Sequence, residues 1–270
     1  MLFFYAHYFI ALAAAVSFLQ TWYLIDIQPT SAPAVLAGLI FFATLGVYNL
    51  HSFVGLWRLK KVPLVHSPRF DALRKYPALV WINIFVSALG VLVLGWQAAR
   101  NTQIQFLLPF VLGLGYVLPL STGRRLRDVG LNKLFVLAFV WAWATVVLPF
   151  ADVDFRVLWL PFFERFLFIF ALALPFDVRD LGLDKLEQVD TLAARLGAKN
   201  SIFLAVFLLL VWAAVAAWLY SSLIFVGAGL GVSAAVLGLR RYQNPPDWYF
   251  SVLLDGLIII VFMAVFLREG

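Results

Sequence analysis

Residues 157–185 read VLWLPFFERFLFIFALALPFDVRDLGLDK, an apolar run interrupted only by Glu164 and Arg165 that passes straight into aspartates at 177, 180 and 184. A helix rises about 1.5 Å per residue, so the stretch Val157 to Phe176 is long enough to cross roughly 30 Å of hydrocarbon. If that helix continues past the hydrocarbon edge, Asp177, Asp180 and Asp184 fall at i, i+3 and i+7 and share one face. The stretch therefore predicts a membrane span that ends in converging carboxylates.

Eight further apolar stretches flank it. They run Leu2 to Leu24, Ala32 to Leu56, Pro77 to Trp96, Gln103 to Leu120, Leu131 to Pro149, Ser201 to Leu219, Ser221 to Leu239 and Trp248 to Leu267. The seventh and eighth of the nine are separated only around Tyr220 and read as a helical hairpin. The chain as a whole is 64% hydrophobic and 13% charged, too little charge to cover a water-facing surface. The longest break, Trp57 to Tyr76, is too short to bury a core of its own. The expected fold is all-α, a polytopic transmembrane bundle of nine helices forming a single integral-membrane domain over residues 1–270. The opening stretch, Met1 to Ile25, lacks a basic leader and is expected to be a retained first span.

The net charge of +6 comes from basic residues placed between spans, so anionic lipid headgroups are the expected counter-charge, and nucleic acid is not. With no cysteine, disulfides, thiolate catalysis and cysteine-ligated metals are excluded. Every second break is basic: Arg58 to Lys75, Arg124 to Lys133, Arg179 to Lys199, then Arg240 and Arg241. The opposite breaks hold little beyond Arg100 and Arg156, with Asp26, Asp152 and Asp154. The positive-inside rule then predicts a cytoplasmic N-terminus and a C-terminus on the opposite side, and a bacterial inner membrane is expected.

Three carboxylates near a helix C-terminus repel one another and oppose the helix dipole, so they call for a compensating cation. Oxygen-only donors without cysteine or neighbouring histidine favour Mg²⁺, which typically also binds phosphate oxygens. Solvated pairing with Arg179, Lys185 and Arg195 is the plainer alternative. Arg124, Arg125, Arg127 and Lys133 stand on the same predicted membrane face, where they suit anionic oxygens as well as topology anchoring. Asn49 and Ser52 share a face near the end of the second span, with His51 off it, and a helix–helix hydrogen bond explains them as well as binding does. Glu164, Arg165 and Asp255 lie within spans, where pairing across helices is the default. Gly38, Gly46 and Gly55, like Gly227, Gly229 and Gly231, permit close helix contact in lipid.

The order of these motifs resembles the UbiA-type intramembrane prenyltransferase family. The likeness runs from Tyr48-Asn49 through Gly123-Arg124-Arg125-Leu126-Arg127-Asp128 to Asp177-Val178-Arg179-Asp180-Leu181-Gly182-Leu183-Asp184, and on into Asp190-Thr191-Leu192-Ala193-Ala194-Arg195-Leu196-Gly197. The resemblance implies a nine-helix protein whose lateral cavity admits an isoprenyl diphosphate. It implies Mg²⁺ bridging the diphosphate to two aspartate-rich motifs, and transfer of the isoprenyl group to a lipophilic or aromatic acceptor. Asp177, Asp180 and Asp184 match the second motif, as catalytic and metal-binding residues. Asn49 matches the asparagine that opens the first motif. Lys133 resembles a catalytic diphosphate contact, and Arg124, Arg125 and Arg127 resemble substrate-binding bases. Where the family places aspartates in the first motif this chain has Leu50, Phe53 and Trp57, so half of the metal clamp is missing. Arg58, Lys60 and Lys61 are the residues nearby that could neutralise phosphate.

Three functions compete on this reading. A membrane prenyltransferase accounts for the aspartate spacing. A non-catalytic lipid-binding or scaffold protein that keeps the fold accounts for Leu50, Phe53 and Trp57. A small-solute transporter accounts for the intramembrane charges, but no paired hydropathy repeat accompanies them.

Overall fold

The computed structural model describes residues 2–59, 68–119, 123–129, 132–187, 189–241 and 245–267. Among them the regular structure is helical throughout. Nine long segments are α1 Tyr8–Ile25, α2 Pro33–Leu59, α3 Pro77–Gln97, α4 Arg100–Val117, α5 Asn132–Ala142, α6 Phe155–Leu186, α7 Leu192–Leu219, α8 Ile224–Gly238 and α9 Asp255–Phe266. Helix α5 runs on through a π-helical turn, Trp143–Val147, and a tighter turn, Leu148–Phe150. Helix α9 is entered through a second π-helical stretch, Tyr249–Leu254. With these extensions eight of the nine are long and apolar enough to cross a membrane. Helix α4 falls short because Arg100, Asn101, Gln103 and Gln105 crowd its opening turns.

The nine-helix, polytopic expectation holds, while the boundaries differ where local chemistry overrides hydropathy. Helix α6 does not stop at Phe176 but continues to Leu186, about 48 Å in all. It starts at an Asp154 cap, whose side chain accepts from the Arg156 N–H at 2.9 Å. Helix α7 begins at Leu192 rather than Ser201, because Thr191 Oγ1 caps the Ala194 N–H at 3.2 Å. The chain then breaks at Gly197, whose φ of 77° only glycine adopts without strain, before the main helix proceeds. Helices α7 and α8 form the expected hairpin.

The helices close into a ring in which α1 packs on α2, α5 on α6, α6 on α7, α7 on α8, and α9 returns to α1. Lipid is as apolar as leucine, so close packing and buried hydrogen bonds hold such a ring together. A Cβ at Gly38 would come within 2.7 Å of Leu94 and one at Gly46 within 3.0 Å of Ser87, which is how α3 lies close on α2. Glu164 and Arg165 both find partners across helices. Arg165 donates to the Ser17 carbonyl at 2.8 Å and to Gln20 at 3.0 Å, while Glu164 accepts from Trp212 Nε1. Asn49 is fully buried and donates to the carbonyls of Ala6 and Leu45, at 3.1 and 2.9 Å, and accepts from Asn83.

Candidate functional site

Inside the ring lies a cavity of about 570 Å³, a size that suits a small lipophilic ligand. Its wall follows α5 from Lys133 through Leu137, Val140 and Ala144 to Leu148, a rise of roughly 22 Å at 1.5 Å per residue. The body is apolar, lined by side chains such as Ile40, Val47, Phe106 and Phe110. Polar side chains gather at the Lys133 end.

Lys133 stands in the first turn of α5, where a positive charge opposes the helix dipole. The carboxylates of α6 compensate for it. Lys133 Nζ lies 2.9 Å from Asp177 Oδ1 and 2.7 Å from Asp184 Oδ2. Both aspartates and the lysine are buried. Asp177 and Asp184, two turns apart on α6, therefore meet on one ammonium. Asp180, on the same cavity, pairs with Arg179 Nε at 2.8 Å. Among the described residues no three histidine or acidic side chains come close enough together to share a metal ion. Asp177 and Asp184 thus share the Lys133 ammonium, while Asp180, also on the cavity wall, pairs with Arg179 and stays within electrostatic reach of Lys133 and Arg127.

Of the three arginines ahead of α5, one faces the cavity. Arg127 is 5% exposed and its Nη1 donates to His51 Nε2 at 2.8 Å. Since a guanidinium can only donate, His51 accepts there and carries its proton on Nδ1. The Arg127 guanidinium also lies over the Tyr116 ring at 5.6 Å and 3.7 Å from Asp184 Oδ1. Burial disfavours its charge, yet Tyr116, Asp180, Asp184 and Glu187 together raise its pKa above the ordinary arginine value. Arg127 Nε has no hydrogen-bond partner. Arg125 is buried in a structural pair, with Nη2 2.8 Å from Asp128 and 2.9 Å from Glu187. Arg124 is exposed. The side chain of Arg58 lies outside the described residues, as do Lys60 and Lys61. Asp190, beyond α6, pairs with Arg195 on the surface, and that hydrogen bond holds its carboxyl below the usual aspartate pKa.

The α2 segment keeps the faces its sequence predicts, with Asn49 and Ser52 together in helix packing and His51 off them, and it is the His51 side that meets the cavity. His51 and Leu50 line the cavity, whereas Asn49 serves the packing of α1, α2 and α3, and Ser52 bonds His7 at 2.7 Å. Phe53 lies against the Trp81 ring at 4.6 Å, and Trp57 is exposed. A second polar group lines the cavity, and it includes Asp255, the charge expected within the last span. Arg179 is stacked 5.2 Å from the Phe176 ring and 5.0 Å from the Phe250 ring, and Asp247, Ser251 and Asp255 line the wall beside it. Those three are spaced by four residues, a helical spacing that sets them on one side of the chain.

Several solved structures share this architecture from end to end. A UbiA homologue from Aeropyrum pernix K1 superposes with a TM-score of 0.68 at 12% identity, covering 97% of this chain and 98% of the other. A UbiA homologue from Archaeoglobus fulgidus bound to GPP and Mg²⁺ gives 0.65 at 10% identity, covering 96% and 95%. The fold is that of the UbiA homologues. A digeranylgeranylglyceryl phosphate synthase, described in membranes, gives 0.56 at 14% identity, covering 98% and 96%. No family model matches the sequence, and no curated protein matches it either.

Proposed function

We propose that the chain is a membrane prenyltransferase that takes the isoprenyl group of an isoprenyl diphosphate and passes it to a lipophilic or aromatic acceptor. The observation that carries this reading is the cavity itself, apolar along α5 and lined at one end by the buried Lys133 and Arg127 with their aspartate partners. An isoprenyl chain fits the first and a diphosphate the second. The fold shared with a homologue bound to GPP and Mg²⁺ agrees with it.

In the reaction the allylic C–O bond breaks, its electron pair leaves with the diphosphate, and a nucleophilic atom of the acceptor bonds to the freed carbon and gives up a proton. Arg127 and Lys133 would neutralise the charge that grows on the leaving group, and the apolar wall would keep water from the allylic cation. Asp247 and Asp255 offer carboxylates on the same wall for the acceptor's proton.

The Mg²⁺ implied by the second aspartate motif meets an unsuitable set of donors. Asp177 Oδ2 and Asp184 Oδ1 lack hydrogen bonds, but each belongs to a carboxylate already held by Lys133 at 2.9 and 2.7 Å. A dication brought to them would face that ammonium and the Arg127 guanidinium at close range. The α2 side offers Leu50 where a carboxylate would be needed. No step of the reading therefore passes through a metal.

Incubating the purified protein with radiolabelled isoprenyl diphosphates of several lengths and candidate phenolic or quinone-precursor acceptors tests the reading. Release of diphosphate with formation of a prenylated product supports it. No product at any length, while a related enzyme works in the same assay, would leave the scaffold reading that Leu50, Phe53 and Trp57 favour.

A further inference from the structure

We propose that Lys133 occupies the place of the divalent metal, so that the cavity holds an isoprenyl diphosphate headgroup without Mg²⁺. The inference rests on the isoprenyl diphosphate reading and adds to it the means by which the headgroup is bound.

Charge counting supports it first. The three aspartates of the α6 motif are matched by three cations, with Asp177 and Asp184 set against Lys133 and Arg127, and Asp180 against Arg179. A motif already neutralised by the chain's own side chains does not demand a dication, unlike carboxylates left facing one another. Asp247 and Asp255 also line the cavity, and their charge acts on Arg179.

Geometry supports it second. The ammonium bridges the carboxylates from two successive turns of α6, which is what a bound cation would do there. The wall opposite, Leu50, cannot coordinate a metal. Third, Arg127 lines the same cavity as Lys133, its guanidinium held by His51 at 2.8 Å and 3.7 Å from Asp184. Lys133 and Arg127 together offer ammonium and guanidinium donors of the kind that bind phosphate directly.

The test is direct binding of tritiated farnesyl diphosphate to the detergent-solubilised full chain, in EDTA and in Mg²⁺. The expected affinities in the two buffers agree within about twofold, and Lys133→Gln weakens binding in EDTA by about tenfold or more. Leu50→Asp adds a carboxylate to the wall without touching Lys133, and is expected to weaken binding in EDTA and to restore it when Mg²⁺ is added. That variant carries the test if Lys133→Gln fails to fold. Wild-type binding about tenfold or more tighter in Mg²⁺ than in EDTA overturns the inference and leaves the prenyltransferase reading in place. No binding in either buffer overturns both.

Discussion

Lys133, in the first turn of α5, lies 2.7 Å from Asp184, near the end of α6, and ties together two helix ends that each carry a charge their own dipole disfavours. Removing one partner of a buried pair leaves a charge without compensation, at a cost of about 3–5 kcal/mol. Lys133→Met is therefore expected to lower the thermal unfolding temperature in detergent by several degrees. Adding Asp184→Asn to that variant should recover part of the loss, because it removes one of the two stranded carboxylates. Melting curves of the single and double variants check both statements.

Arg124 and Arg125 are neighbours with different tasks. Arg125 is buried between Asp128 and Glu187, so Arg125→Ala should destabilise the fold by about 3–5 kcal/mol. Arg124 is exposed, and Arg124→Ala should leave the melting temperature within about a degree, in line with the roughly ±0.5 kcal/mol of ordinary surface changes. Arg127→Gln should instead weaken isoprenyl diphosphate binding more than it lowers stability, measured on the same preparations.

Ala144 lines the cavity far along α5 from Lys133. An aromatic ring there would shorten the space for an isoprenyl tail while leaving the polar end alone. Ala144→Phe is expected to spare a short probe such as dimethylallyl diphosphate and to reduce affinity for a geranylgeranyl probe by about tenfold, or about 1.4 kcal/mol. Equal loss for both lengths would place the tail elsewhere.

The absence of cysteine makes membrane orientation directly measurable. Single substitutions Arg74→Cys and Asp152→Cys fall in breaks of opposite charge character, before α3 and before α6. In intact bacterial cells an impermeant maleimide should label the Asp152 position and leave the Arg74 position unlabelled until the membrane is opened. The reverse pattern would invert the bundle.

Hydropathy made the helices legible because a bilayer asks for a repeated length, and the basic breaks marked the same boundaries independently. The seven-residue interval between Asp177 and Asp184 also carried real information, since two helical turns return to the same face and both side chains reach Lys133. What the spacing did not carry was the cation. Lys133 lies 51 residues from Asp184, and no local signal separates it from a topology anchor. His51 was set aside for lying off the Asn49 and Ser52 face, but in a segment where most neighbours are apolar, helical periodicity says which residues stand together and not which way they look. Arg179, read as a solvated base, is stacked between two phenylalanine rings of α6 and the last span. Asp247 lies outside the predicted last span and drew no attention. Asp255 stood out only as an intramembrane charge.

The π-helical passage at Tyr249–Leu254 makes the last span sensitive to length as well as to composition. In an ordinary helix each residue turns the chain by about 100°, so adding a single amino acid between Ser251 and Asp255 at regular pitch would set them five apart, about 140° around the axis, and swing Asp255 out of line with Ser251. Such an insertion would keep every charged side chain and the apolar character of the segment, yet dismantle one polar wall of the chamber.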